Sequence, residues 1–189
     1  IRSNTGLRYY KNNHKLNGGF SYIRNYQLYN KNKEETIATN SFILNGEYNH
    51  SRLWNGDFQL GFSTQYIQPE VYAYDKNLKE YRTDIFSSYK KSLSKHLDLS
   101  INLREALVSN YKSQFCPSIG FLGKLINKEN KELSFKFSAS ENYKIPTFND
   151  RFWIPGGNPD ILPEKARNIE TGILFYQKKG KLNYNIELN

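Results

Sequence analysis

The sequence predicts an all-β fold, an antiparallel up-and-down meander of about ten long strands. Polar and apolar residues alternate with a period of two along most of the chain. Several alternating runs reach ten residues or more, against a usual five or six in soluble sheets. No run between them carries the 3.6-residue spacing of a helix.

The first run, 2–11, lies in "IRSNTGLRYY", which reads as a strand and not as a charged-then-apolar leader. Runs at 15–28 and 38–49 follow. In the fourth, 56–68, Phe58, Leu60, Phe62, Thr64 and Tyr66 share a face. The fifth covers 80–92. The sixth, 96–108, sets Leu97, Leu99, Ile101 and Leu103 against Asp98, Ser100, Asn102 and Arg104. A seventh spans 114–125. The eighth, 131–142, opposes Leu133, Phe135, Phe137 and Ala139 to Ser134, Lys136, Ser138 and Ser140. After a ninth at 164–177, the tenth, 181–189, opposes Leu182, Tyr184, Ile186 and Leu188 to Asn183, Asn185, Glu187 and Asn189.

The connections alternate. Short polar turns are expected near 12–14, 50–55, 93–95, 126–130 and 178–180, and longer links near 29–37, 69–79, 109–113 and 143–163. In an up-and-down sheet alternate connections lie on opposite edges, so one edge is trimmed and the other decorated. Short turns on one rim and long loops on the other mark outer-membrane barrels, whose tilted strands need about 9–11 residues. Alternation alone suits a soluble sandwich or an open sheet equally well. Strand length and loop asymmetry favour the membrane barrel, and the Asn, Ser, Gln, Asp and Lys of the polar faces suit a wet lumen better than a dry interior.

Composition agrees. The 189 residues suffice for one domain. With 15 Tyr and 12 Phe but a mean hydropathy of −0.76, the apolar groups must be sparse and regular. No stretch approaches the roughly 18 apolar residues of a spanning helix, which leaves a barrel of strands open. The chain has no methionine, so it is expected to be a processed product or a piece of something longer. The net charge of +9 comes from Lys scattered along the chain without an Arg-rich cluster, so no nucleic-acid partner is expected. The single Cys116 excludes an internal disulfide.

One link is unlike the others. "KIPTFNDRFWIPGGNPDILPEKARNIETG", 144–172, holds four of the six prolines, and a stretch so dense in backbone-stiffening residues is expected to be neither strand nor helix. Each proline fixes its φ and pushes the preceding residue toward an extended shape. Gly156 and Gly157 permit a tight reversal, and Asn158 and Asp160 can close local side-chain turns. Such a loop loses less entropy on ordering, and is expected to fold back over the rim as a preordered unit.

The order Lys144, Pro146, Thr147, Phe148, Asn149, then Gly157, Asn158, Pro159, then Pro163, Glu164, and finally Glu170 and Gly172 resembles a segment of TonB-dependent outer-membrane receptors, including their cobalamin and siderophore receptors. The match spans about 30 residues. Lys144 stands where Arg is frequent, Leu162 where a polar residue is common, and Ala166 where Ser is common. These departures bear on the substrate and not on the backbone. The resemblance implies a 22-stranded transmembrane barrel. Residues 1–189 would be part of its barrel domain, lacking the plug domain and terminal strands, an open sheet with unpaired edges. It also implies active import of a scarce nutrient, a ferric siderophore or cobalamin, with energy supplied through TonB by way of the absent plug. Haem-uptake members carry a His between the basic-x-Pro and Asn-Pro elements. Residues 146–158 hold none, which disfavours haem.

The motif residues are expected to be structural. Tyr72, Tyr74, Phe152 and Trp153 in the long links are the candidate cargo contacts. No phosphate-cradling Gly loop or nucleophile elbow is present, so no enzyme and no cofactor is expected. His14, His50 and His96 fall in or beside short turns, too isolated to predict a metal site. Besides the cargo, the partners expected are outer-membrane lipid and the TonB complex. The alternative is a structural or adhesive surface β protein without a transport role.

Overall fold

The computed structural model describes residues 1–28, 31–32, 34–74, 77–180 and 182–188. Parts of the expected links 29–37 and 69–79, and both ends of the expected strand 181–189, lie outside the described residues. The strands are β1 (Arg2–Lys11), β2 (His14–Leu28), β3 (Thr36–Leu53), β4 (Gly56–Val71), β5 (Glu80–Ser94), β6 (Leu97–Val108), β7 (Gln114–Lys128), β8 (Lys131–Lys144), β9 (Glu164–Lys179) and β10 (Leu182–Leu188). They form one ten-stranded sheet in sequence order, every neighbour antiparallel.

Two turns are tighter than the sequence suggested. The expected turn 50–55 contracts to Trp54 and Asn55, both at positive φ (48° and 60°) as a two-residue hairpin requires. A bulge between His50 and Leu53, with Arg52 at φ 71°, breaks the alternation there and makes strand look like turn. The expected turn 126–130 contracts to Glu129 and Asn130, and a bulge between Lys124 and Ile126 has the same masking effect.

Register sorts the side chains onto two faces, because directly paired residues point the same way. One face carries Leu16, Phe20, Leu44, Leu60, Leu103 and Ile173, all among the exposed large hydrophobic residues. Across it runs an aromatic row of direct partners, Tyr22, Phe42, Tyr66 and Tyr81, with ring centroids 4.9, 6.1 and 4.8 Å apart. Nearer the short turns lie Tyr48, His50, Phe58 and Tyr89. Phe58 and Tyr66 are eight residues apart on β4, so at about 3.3 Å per residue and about 40° of tilt the band between the rows is roughly 20 Å tall, near the height of the lipid-facing band of a membrane barrel. The other face carries ion pairs, Arg104 to Asp84 at 3.6 Å, Lys124 to Asp98 at 3.7 Å, and Lys136 to Glu187.

Among the described residues no second sheet packs on either face. Among the described residues the buried hydrophobic ones are Ala38, Ile67, Ala73, Ala106 and Val108. A sandwich would bury one face of each sheet. This sheet exposes its apolar face.

Candidate functional site

The connection between β8 and β9 is the most built part of the molecule. Contrary to the expectation of no helix, Phe148–Phe152 forms a one-turn helix, α1. Thr147 is its N-cap: its hydroxyl accepts from the Asp150 amide at 3.2 Å, and the Asp150 carboxylate accepts from the Thr147 amide at 2.8 Å. This reciprocal capping box lets five residues hold a helical turn they could not hold by propensity. The bond to Thr147 keeps the exposed Asp150 carboxyl below the usual carboxylate range.

After α1 the chain reverses as the glycines allow. Gly156 adopts φ +114°. Gly157 lies so close to the helix end that a β-carbon would stand 2.6 Å from the Trp153 amide nitrogen and 2.7 Å from that of Phe152. The Gly157 amide donates to the Trp153 carbonyl, and the Asn158 amide to the Asp150 carbonyl at 2.9 Å. Asn158 closes the expected side-chain turn, its Oδ1 accepting from the Asp160 amide at 3.0 Å. At the base, Lys144 and Glu164 are register partners with Nζ 3.3 Å from the carboxylate, both well exposed. Glu170 and Gly172 lie within β9, opposite Ser138 and Lys136. Pro146 is buried and Pro163 half-buried, while Pro159 is exposed.

The loop folds onto the polar face. Glu80 pairs in register with Ile67, and Arg82 with Val108 and Gln65, so Glu80 and Arg82 point to the ion-paired side. Arg151 of α1 reaches Glu80 at 2.5 Å, both side chains only 2% exposed. Arg82 holds the other oxygen of the same carboxylate at 2.6 Å. The Arg151 guanidinium lies 4.8 Å from the Phe148 ring, 5.0 Å from Phe152 and 5.7 Å from Tyr111, and its Nε donates to the Thr147 carbonyl at 3.3 Å. A buried charge is tolerable only when paired and surrounded in this way. Neither Arg151 nor Glu80 was singled out from the sequence, because they stand 71 residues apart.

The four aromatic candidates come together. Tyr72 and Trp153 meet edge to face at 5.7 Å, and Tyr74 meets Trp153 and Phe152 at 6.4 Å each. The Ile154 amide donates to the Ala73 carbonyl at 2.9 Å, and the Tyr74 hydroxyl to Asn149 Oδ1 at 2.5 Å. Burial pushes the Tyr74 phenol up, against the opposing pull of the Arg151 charge. A third link joins through Tyr111, whose hydroxyl donates to the Ile161 carbonyl at 3.3 Å. Phe152 and Trp153 are half-buried flanks of this cluster; Tyr72, Ile154 and Leu162 are the more exposed groups. Two recesses adjoin the cluster. A small apolar one of about 220 Å³ lies between Leu78, Phe152, Trp153 and Pro159. A polar one of about 250 Å³ lies on the sheet beneath the loop, walled by Gln65, Arg82, Asp84 and Arg104.

The histidines are less scattered than the sequence suggested. His14 and His50 are cross-strand partners with rings 4.6 Å apart, and His14 Nδ1 lies 2.8 Å from the Tyr48 hydroxyl. Among the described residues no group of three His, Cys, Asp or Glu could hold a metal ion.

The chain matches the family model "TonB dependent receptor-like, beta-barrel" over residues 1–188. Among curated proteins it is similar to the vitamin B12 transporter BtuB of Photobacterium profundum, 40% identical over 42 residues, which is 22% of this chain and 7% of that protein. The same transporter of Vibrio vulnificus is 41% identical over 44 residues, 23% of this chain and 7% of that protein. Among solved structures it is similar to the siderophore receptor PirA from Pseudomonas aeruginosa, with a TM-score of 0.74 and 16% identity, over 95% of this chain and 36% of that one. The chain thus spans about a third of that receptor and a much smaller share of the curated relatives.

Proposed function

Because the chain belongs to the TonB-dependent receptor family, whose β-barrels lie in the Gram-negative outer membrane, we propose that residues 1–189 are wall and outer loops of the barrel domain of an active importer. Its cargo is a ferric siderophore or cobalamin, and a plug domain seated in the barrel transmits the pull of TonB. The observation that carries this reading is the convergence of Tyr72, Tyr74, Phe152 and Trp153 from two outer links into one cluster at the polar, lumen-side rim. Rigid rings over an apolar recess offer a bulky chelate or corrinoid both contact area and shape at little entropic cost. The polar recess below, flanked by Arg82 and Arg104, offers it charge on the way inward. The motif residues Lys144, Pro146, Thr147, Phe148, Asn149, Gly157, Asn158, Pro159, Pro163, Glu164, Glu170 and Gly172 shape and anchor the loop and make no cargo contact.

The test is binding of ferric siderophores and of cobalamin to the intact receptor, with Tyr72→Ala, Trp153→Ala and the double variant. Each single variant is expected to weaken the bound cargo by about tenfold, the scale of about 1.4 kcal/mol of lost contact, while the heat-sensitive gel mobility of the assembled barrel is kept. Wild-type affinity in the double variant would remove the cluster from the cargo site. Uptake that persists after the proton gradient is collapsed would remove the TonB-driven mechanism.

A further inference from the structure

On the apolar, membrane-facing side a groove of about 380 Å³ runs along β8, independent of the loop cluster. Its floor is one register row, Ile119, Ala139 and Ile169, in which the small residue lies between two large ones. Ile101 and Leu103 of β6 and Pro117 of β7 form its far wall. The β7–β8 pairing ends at Ser118 and Ser140, while β8 stays paired to β9 up to Lys144 and Glu164. Pro117, with no N–H to give a ladder, stands one residue beyond that last pair. The two strands part there and leave a notch that opens toward the long-loop rim.

The upper end of the notch is cationic. Arg167 and Lys165 follow Ile169 on the same face of β9, toward the rim. Arg167 uses its Nε on Glu141, its register partner, at 2.7 Å; its side chain is 85% exposed, and its two terminal nitrogens make no hydrogen bond among the described residues. The Lys165 ammonium makes no ion pair among the described residues and is exposed. Two cations and one carboxylate leave a net positive charge at the long-loop end of an apolar slot.

We propose that this notch is a binding site for one anionic membrane lipid of the outer leaflet, its phosphate held by Arg167 and Lys165 and one acyl chain laid along Ala139. The occupant follows from position and charge. The face is continuous with the lipid-contacting surface of the barrel, a linear chain fits a slot floored by Ile, Ala and Ile, and forked guanidinium nitrogens suit phosphate oxygens. The proposal rests on the membrane location of the barrel and not on the cargo.

Native mass spectrometry of the intact receptor, offered phosphatidic acid or phosphatidylcholine with the same chains, tests it. One phosphatidic acid is expected to be retained in preference to phosphatidylcholine, and inorganic phosphate in excess is expected not to displace it. Lys165→Gln and Arg167→Gln should each reduce retention by about fivefold. Ala139→Phe, which fills the slot and leaves both cations, should abolish it. Equal retention of the two lipids, retention unchanged in the double Gln variant, or displacement by phosphate alone would each overturn the proposal. Lys165 and Arg167 are exposed, so their variants decide the matter even if Ala139→Phe fails to assemble.

Discussion

Arg151 is a charged residue with 2% of its side chain exposed, while almost no large apolar side chain among the described residues is buried. Removing one partner of such a pair leaves an uncompensated charge, at a cost of about 3–5 kcal/mol, whereas replacing both with apolar groups is often neutral. Glu80→Gln or Arg151→Met should therefore release α1 from β5, read as lost amide-exchange protection over residues 148–158. The double variant Glu80→Leu with Arg151→Leu should recover much of it. Full protection in both single variants would mean that the Phe148 and Phe152 packing holds the loop without the ion pair. Asp150 adds a pH dependence of known sign. Its carboxyl is held below its usual value by Thr147, so its capping contribution is complete above the ordinary carboxylate range and is lost as pH falls through the lowered value. Protection of α1 should fall in that acidic window in the wild type; in Asp150→Asn it should be weaker throughout and lose the part of that fall that Asp150 causes.

At the scale of elements, the strands were legible because a period of two survives wherever one face meets an apolar medium and the other meets water. Leu97 to Arg104 and Leu133 to Ser140 show it without interruption. Where a bulge inserts a residue, as between His50 and Leu53, the alternation slips and strand reads as turn. A helix of five residues is too short to show a period, and only Thr147 with Asp150 three positions on marks it in the sequence. The convergence of Tyr72 and Tyr74 with Phe152 and Trp153 could be suspected from loop position, but the Arg151 to Glu80 pair had no local signal. The loop's hinge is testable at its glycines. Gly156→Ala places a side chain at φ +114° with nothing in its way, a cost of about 1–2 kcal/mol. Gly157→Ala drives a β-carbon into the backbone of Phe152 and Trp153. Limited proteolysis between 153 and 160 should therefore cut Gly157→Ala fastest, then Gly156→Ala, then the wild type. A Gly157→Ala protein as resistant as wild type would show that the close approach is dispensable.

For the whole molecule, the decisive property is that one sheet exposes both faces. Leu7 is 74% exposed and Ile169 75% exposed, so in water the apolar face would be a patch far larger than the few hundred Å² that a soluble monomer tolerates. In a bilayer the same face is satisfied, and the opposite one keeps its ion pairs wet. The edges add a second constraint. Among the described residues β1 pairs only with β2, and β10 only with β9, which leaves two rows of backbone donors and acceptors free to recruit other strands. A chain of residues 1–189 made alone should therefore form polydisperse oligomers in buffer, by light scattering. Detergent should cover its face but not its edges, reducing the aggregates without yielding a monomer. The intact receptor, its edges paired, should be monodisperse in the same detergent and shift in gel mobility on boiling. A monomeric, detergent-free preparation of residues 1–189 would mean that the apolar face finds cover within the chain, and the lipid-facing assignment of Leu16, Phe20, Leu44 and Leu60 would fall with it.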